Sequence, residues 1–263
     1  MARIARVLVT ALGLPVGCNP HHPSTTTSGM IAADRVDDEP ESASGREGDD
    51  RLDRVDGPSP RAGCARGDLV VEVERELGRL TASSYSHATH VDEDAAVYDY
   101  DCSGFVVYAL SRSVPDALEA VRTAAGRRPR SAEFVAFFEG ILAGERRGRW
   151  QRIGRVGDLA AGDIIAWLKP AGSRSANTGH TMVVHGAPSP DPRRPGAFLV
   201  PVIDSTETPH GPNDSRFQSH VTGLGQGEIV LITDADGAPR GYRWANASKS
   251  PEKATTIAMG RVF

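Results

Sequence analysis

Lysine is almost missing from this chain: it stands only at positions 169, 249 and 253, although lysine and arginine together number 30. The arginines are scattered. Arg46, Arg51 and Arg54 sit among Asp49, Asp50 and Asp53, and the net charge is −4. A nucleic-acid face needs a basic stripe along one element, so no nucleic-acid partner is expected. Cysteine is scarce too, at positions 18, 64 and 102 only, which excludes a disulfide framework. The apolar run from Val7 to Gly17 is too short for an ordinary membrane-spanning helix. Metal motifs are incomplete. His87 and His90 are three apart, whereas the zinc-protease helix needs histidines four apart with an intervening glutamate. Thr233 to Gly237, TDADG, opens like a calcium loop but lacks the later glutamate, and its Asp236-Gly237 reads as a hairpin turn. No metal and no cofactor is expected.

What is present begins with Arg3 and Arg6 ahead of that apolar run, the layout of a signal peptide over residues 1–17. Cys18 closes LGLPVGC and resembles a bacterial lipoprotein acylation site, with Leu14 four residues before the cysteine instead of the usual three. Lipidation at Cys18, secretion without lipid and a disordered cytosolic start are the three readings, in that order. Residues 18–62 hold few large apolar side chains, cannot bury enough surface to offset chain entropy, and read as a disordered tether. A flexible linker of that length spans about 35–40 Å. Cys64 reads as a bystander thiol, with a bridge to Cys102 as the alternative.

The remaining length suits one sizeable domain, taken as residues 63–248, with 249–263 as a loosely held tail. Asp68 can cap a helix carrying Leu69, Val73, Leu77 and Leu80. A polar loop from Ser83 to Asp99 leads to a helix from Cys102 that stops before Pro115, and another runs from about Ser131 to Ala143. Strands are expected at 163–168, 180–186, 197–203, 227–233 and 240–244. Helices first and an antiparallel sheet afterwards predict an α+β fold with segregated layers.

The most informative residues are Tyr98 to Val106, YDYDCSGFV. Asp101 can cap the helix that follows, and the free N–H groups of its first turn then face the Cys102 sulfur, which favours a thiolate. A buried structural cysteine accounts for this motif alone equally well. Leu159 to Leu168, LAAGDIIAWL, and Thr178 to Gly186, TGHTMVVHG, add a Gly-Asp turn into a strand and a histidine opening another. With these three segments in this order, residues 80–205 resemble the NlpC family of papain-like cell-wall cysteine peptidases. Ala161 stands where that family usually has proline, and Thr181-Met182 where Val-Gly is common.

The resemblance implies a papain-like fold, with the nucleophile helix packed on a small antiparallel sheet or half-barrel, and a peptidoglycan or other amide substrate. It implies Cys102 as nucleophile and His180 as base. His185, five residues on, points to the opposite strand face and is the weaker choice. Asp204, at the end of FLVPVID, is chemically competent to orient His180, although the family usually has His, Asn or Gln there. A strand-end aspartate capping the Ser205-Thr206 turn is the plainer account, and His210 and Asn213 are the substitutes. Tyr85 falls where the family commonly has a tyrosine near the oxyanion; the Cys102 N–H, Tyr85 and Asp101 form the expected oxyanion site. Ser103 completes the motif, and Arg216 would suit a substrate carboxylate. The leading expectation is an exported cysteine amidase held in the cell envelope or secreted. The alternatives are a catalytically inert binding module of the same fold and a papain-like acyltransferase.

Overall fold

The computed structural model describes residues 62–173, 177–247 and 249–263, and the side chains from residue 67 on. The expected signal peptide, Cys18, the tether up to residue 61 and the side chain of Cys64 lie outside the described residues. In chain order the elements are α1 (Ala62–Arg79), β1 (Ala82–Ser84), β2 (His90–Asp92), β3 (Val97–Asp99), α2 (Cys102–Ser113), α3 (Pro115–Ala125) and α4 (Ser131–Glu139). There follow β4 (Arg146–Arg147), β5 (Trp150–Ile153), β6 (Ile164–Leu168), β7 (Gly179–Val184), β8 (Ser189–Pro190), β9 (Ala197–Thr206), β10 (Gly223–Thr233), β11 (Pro239–Arg243), β12 (Lys253–Ala254) and β13 (Ile257–Val262). The fold is α+β, with the helices leading and an antiparallel sheet behind them.

The large sheet runs β12-β11-β10-β9-β7-β6-β13-β5-β4, with β8 beside β9. Successive residues of its strands enter different cores, as the twofold alternation of a strand requires. Ile164 and Ala166 of β6, Val183 of β7, Ile203 of β9 and Ala258 of β13 meet Phe105, Phe134 and Phe138 of the helices. Ile165 and Trp167, Met182 and Val184, Val200 and Val202, and Ile257 and Met259 face the other way into a second apolar cluster, which Leu231 and Tyr242 join. That second cluster exists because the sheet curls. Trp167 on β6 and Tyr242 on β11 lie four strands apart in the sheet, about 19 Å if it were flat, yet their rings stack at 4.2 Å.

The structure departs from the sequence reading at four places. The chain after Lys249, expected to be loosely held, supplies β13, which sits between β6 and β5 in the sheet. Ile257, Met259 and Val262 are buried there, each worth roughly 1.5–3 kcal/mol. Pro115 does follow the end of α2, but it also opens α3, at a position where its missing N–H leaves no helical bond unmade. The loop from Ser83 to Asp99 contains the three strands of a small second sheet, ordered β1-β3-β2. Helix α1 begins before Asp68, which therefore lies within it instead of capping it.

Candidate active site

Asp101 caps α2 through its side chain, which accepts from the Gly104 N–H at 2.6 Å and from the Ser103 hydroxyl at 2.9 Å. Phe105 N–H bonds the Asp101 carbonyl at 2.9 Å. With those two N–H groups taken, the amides of Cys102 and Ser103 are the first-turn donors left over among the described residues. The Cys102 sulfur lies 3.7 Å from Ser131 Oγ at the start of α4, and the buried Thr181 hydroxyl donates to that same Ser131 oxygen at 2.9 Å. The Ser131 proton is thus free to point at the sulfur.

His180 opens β7 behind Gly179, where a glycine is required: φ is +153°, and a Cβ there would lie 1.7 Å from the Trp167 carbonyl oxygen. Strands β7 and β9 pair only at Val183–Ile203 and Val184–Val202. Just past that short ladder, His180 Nε2 meets Asp204 Oδ2 at 2.5 Å, leaving Nδ1 as the ring nitrogen for Cys102. Burial opposes a charge on His180, but the Cys102 sulfur and Asp204 outweigh it and lift its pKa to about 10. The Trp244 ring packs edge-on against the imidazole at 5.0 Å.

Asp204 is wholly buried and receives three side-chain donors: His180 and, at 2.9 Å each, His210 Nε2 and Arg216. Burial opposes its ionisation; His210 and Arg216 overcome that and hold it well below the ordinary carboxylate range. His180, Asp204 and His210 present ligand atoms within 4.8 Å of one another. Their contacts are nevertheless hydrogen-bonded pairs, and the Arg216 guanidinium on the same carboxylate opposes a second cation, so the set does not fit a metal.

Other expected site residues take different places. Arg216 is 1% exposed and spends all five N–H donors on Asp204, Asp214 and the Gly223 carbonyl, so it braces the site instead of reaching a substrate carboxylate. Asp101 also binds Arg128 at 3.1 Å; burial opposes its ionisation, but the Gly104 N–H and Arg128 hold its pKa low. As an acceptor-only carboxylate it cannot donate to an oxyanion, and the Ser103 hydroxyl is committed to it. Asn213 is exposed, and His185 pairs with Glu74 at 3.2 Å. Tyr85 lies beside Cys102: burial, then the Cys102 and Asp101 charges, push its hydroxyl up, so it stays a donor.

Two cavities meet at Tyr85, Asn177 and Gly179. One, of about 330 Å³, holds Cys102, Ser131, Arg128 and Arg130. The other, of about 730 Å³, holds His180 with Trp167, Tyr242, Trp244, Lys169 and Lys253. Ser131, Thr181, Arg128 and Trp244 were given no part in the site by the sequence reading. The Ser-x-x-Phe start of α4 signalled a helix and nothing more, because their roles arise from contacts between elements far apart in sequence.

No family model matches the chain, and no solved structure matches it. The uncharacterized protein R653 of Acanthamoeba polyphaga mimivirus is 33% identical over 180 residues, covering 62% of this chain and 77% of that protein. The chain therefore belongs to one family with the mimivirus R653 protein.

Proposed function

We propose that this protein is an NlpC-like, papain-like cysteine hydrolase that cleaves an amide bond in the peptide stems of peptidoglycan. The observation that supports this most is the convergence of Cys102, on a helix N-terminus, with His180 and the buried Asp204, at the junction of two cavities. A nucleophile helix laid on a curled antiparallel sheet that carries the base is also the arrangement the NlpC resemblance implies.

The chemistry follows from the positions. The Cys102 thiolate attacks the amide carbonyl carbon, and the oxygen gains charge that the Cys102 and Ser103 amides and the Tyr85 hydroxyl are placed to receive. His180 gives its proton to the leaving nitrogen, the C–N bond breaks, and a thioester remains on Cys102. A water loses one proton to His180 and attacks the thioester, the C–S bond breaks to restore the thiolate, and the released carboxylic acid gives its remaining proton to solvent. Asp204 keeps the ring in the required tautomer and offsets its charge. The leaving side of the substrate occupies the aromatic cavity beside His180, and the acyl side the Arg128–Arg130 cavity. No cofactor enters the scheme.

Export fits this reading. The signal-peptide layout of residues 1–17, with Cys18 as lipid anchor, would hold the domain within tether reach of the wall. Among the described residues no helix is long and apolar enough to cross a membrane.

Digestion of purified peptidoglycan followed by mass spectrometry of the fragments tests the proposal. Wild-type protein should release peptides with a newly freed amine, and Cys102→Ala should release none. An unchanged digest with folded wild-type protein would favour the inert binding module instead.

A further inference from the structure

The two nitrogens of His210 both face acceptors. Nε2 lies 2.9 Å from Asp204 Oδ2, and Nδ1 lies 3.0 Å from the Trp244 carbonyl oxygen. A carbonyl and an ionised carboxylate can only accept, so a neutral ring, which has one N–H, would set one bare nitrogen against an oxygen lone pair. The side chain is fully buried, so such a clash is not relieved by bulk solvent.

We propose that His210 is a positioning residue whose ring carries protons on both nitrogens at neutral pH, clamping Asp204 and moderating its pull on His180; this rests on the catalytic reading of Cys102, His180 and Asp204. Charge balance supports it independently. The groups facing His210 are Asp204 from β9, Asp214 and Arg216 from its own loop, which binds the His210 amide through Asp214 at 2.8 Å, and His180 from β7. Trp244 covers the ring at 4.2 Å, and β10 presents Gly227 to it. The His180 imidazolium is balanced by the Cys102 thiolate; the two carboxylates and the Arg216 guanidinium then leave one negative charge in a buried cluster, and a cationic His210 cancels it.

The β10 sequence makes the cluster feasible. Gly223-Leu-Gly-Gln-Gly227 places glycines on one strand face at alternate positions. A Cβ on Gly225 would lie 2.5 Å from Arg216 Nε, and one on Gly227 would lie 2.7 Å from His210 Cδ2. The groove left by the missing side chains is where both cations lie.

Both imidazoles donate to the same Asp204 oxygen, with ring centroids 6.4 Å apart. Each ring's charge therefore makes a proton on the other less favourable. Asp204 alone would hold the His180 proton more tightly than the pair does, so His210 keeps His180 able to release it.

Imidazole ¹⁵N NMR on histidine-labelled protein tests this without any substrate. At pH 7 both His210 nitrogens should show the shifts of protonated nitrogens; one unprotonated shift would overturn the proposal, and this arm needs no variant. The second arm uses Cys102→Ala as background, where the sulfur no longer holds the His180 proton. Adding His210→Gln should move the His180 midpoint to higher pH by about two units, for a unit charge 6.4 Å away in an effective dielectric of about 20. A merely structural role would leave the midpoint in place or lower it, and either result would overturn the moderating effect. A failed peptidoglycan digest would sink the hydrolase reading while leaving both arms intact.

Discussion

His180 Nε2 and Asp204 Oδ2 are 2.5 Å apart, with the Trp244 ring edge-on against the imidazole, so the fold itself sets the histidine's orientation. On the proposed mechanism His180→Ala abolishes turnover. Asp204→Asn lowers it by about 10⁴, the loss seen when a triad aspartate is neutralised. Turnover needs the proton on His180, so it persists below that residue's pKa and falls as pH rises through about 10. Steady-state rates of both variants and a wild-type pH profile check these points; full activity in Asp204→Asn would remove the orienting role.

Ser131 should matter through its proton. Its oxygen accepts from Thr181, which leaves its own hydrogen for the sulfur 3.7 Å away. Ser131→Ala is expected to slow Cys102 alkylation at pH 7 by about tenfold, the worth of one hydrogen bond to a charged group. Thr181→Val, which frees the Ser131 hydroxyl to turn away, should have a smaller effect in the same direction. Stopped-flow alkylation with iodoacetamide reads both.

Glu76 is a stability switch away from the site. It is fully buried, accepts from the Tyr100 hydroxyl at 2.6 Å through one oxygen, and its other oxygen has no partner among the described residues. Burial raises its pKa to about 8 despite the Tyr100 bond. The folded state thus binds a proton more tightly than the unfolded one. The stability this carries is complete below the unfolded value near 4.5 and is lost as pH rises through about 8, at up to ~1.4 kcal/mol per pH unit. Urea denaturation across that range should show the decline, and Glu76→Gln should flatten it.

Close packing of the loop on β10 gives a steric prediction. A Cβ at Gly227 would lie 2.6 Å from Asp214 Oδ2, so Gly227→Ala should cost roughly 1–3 kcal/mol and reduce turnover through Asp204. Gly78→Ala in α1, where nothing lies within 4 Å of the added carbon, should be neutral or stabilising by roughly 0.5–1 kcal/mol. Equal midpoints for Gly227→Ala and wild type in denaturation would contradict the groove.

The sequence singled out Cys102 and His180 through the NlpC resemblance and Asp204 as the residue closing an apolar strand, and the structure brings His180 and Asp204 into hydrogen-bond contact. The support around them was not legible in the sequence. Arg216 was read as substrate-facing because a loop arginine looks exposed in one dimension, and only the glycine-lined face of β10 shows where it goes. Strand β13 was taken for a loose tail because its partners, Trp150–Ile153 and Ile164–Leu168, lie about a hundred residues earlier, and such long-range pairing leaves no local signal. The curl of the sheet was equally hidden, since the Trp167–Tyr242 stack joins residues on strands far apart in sequence.

The central claim is that Cys102 is a nucleophile activated by His180, and the rate of its modification tests this most directly. Limiting iodoacetamide at pH 7, with the labelled peptide identified by mass spectrometry, should modify Cys102 before Cys64. The rate at Cys102 should be at least about tenfold higher in wild type than in His180→Ala, as expected for a thiolate held by an imidazolium. Equal rates in the two proteins, or preferential labelling of Cys64, would contradict the account.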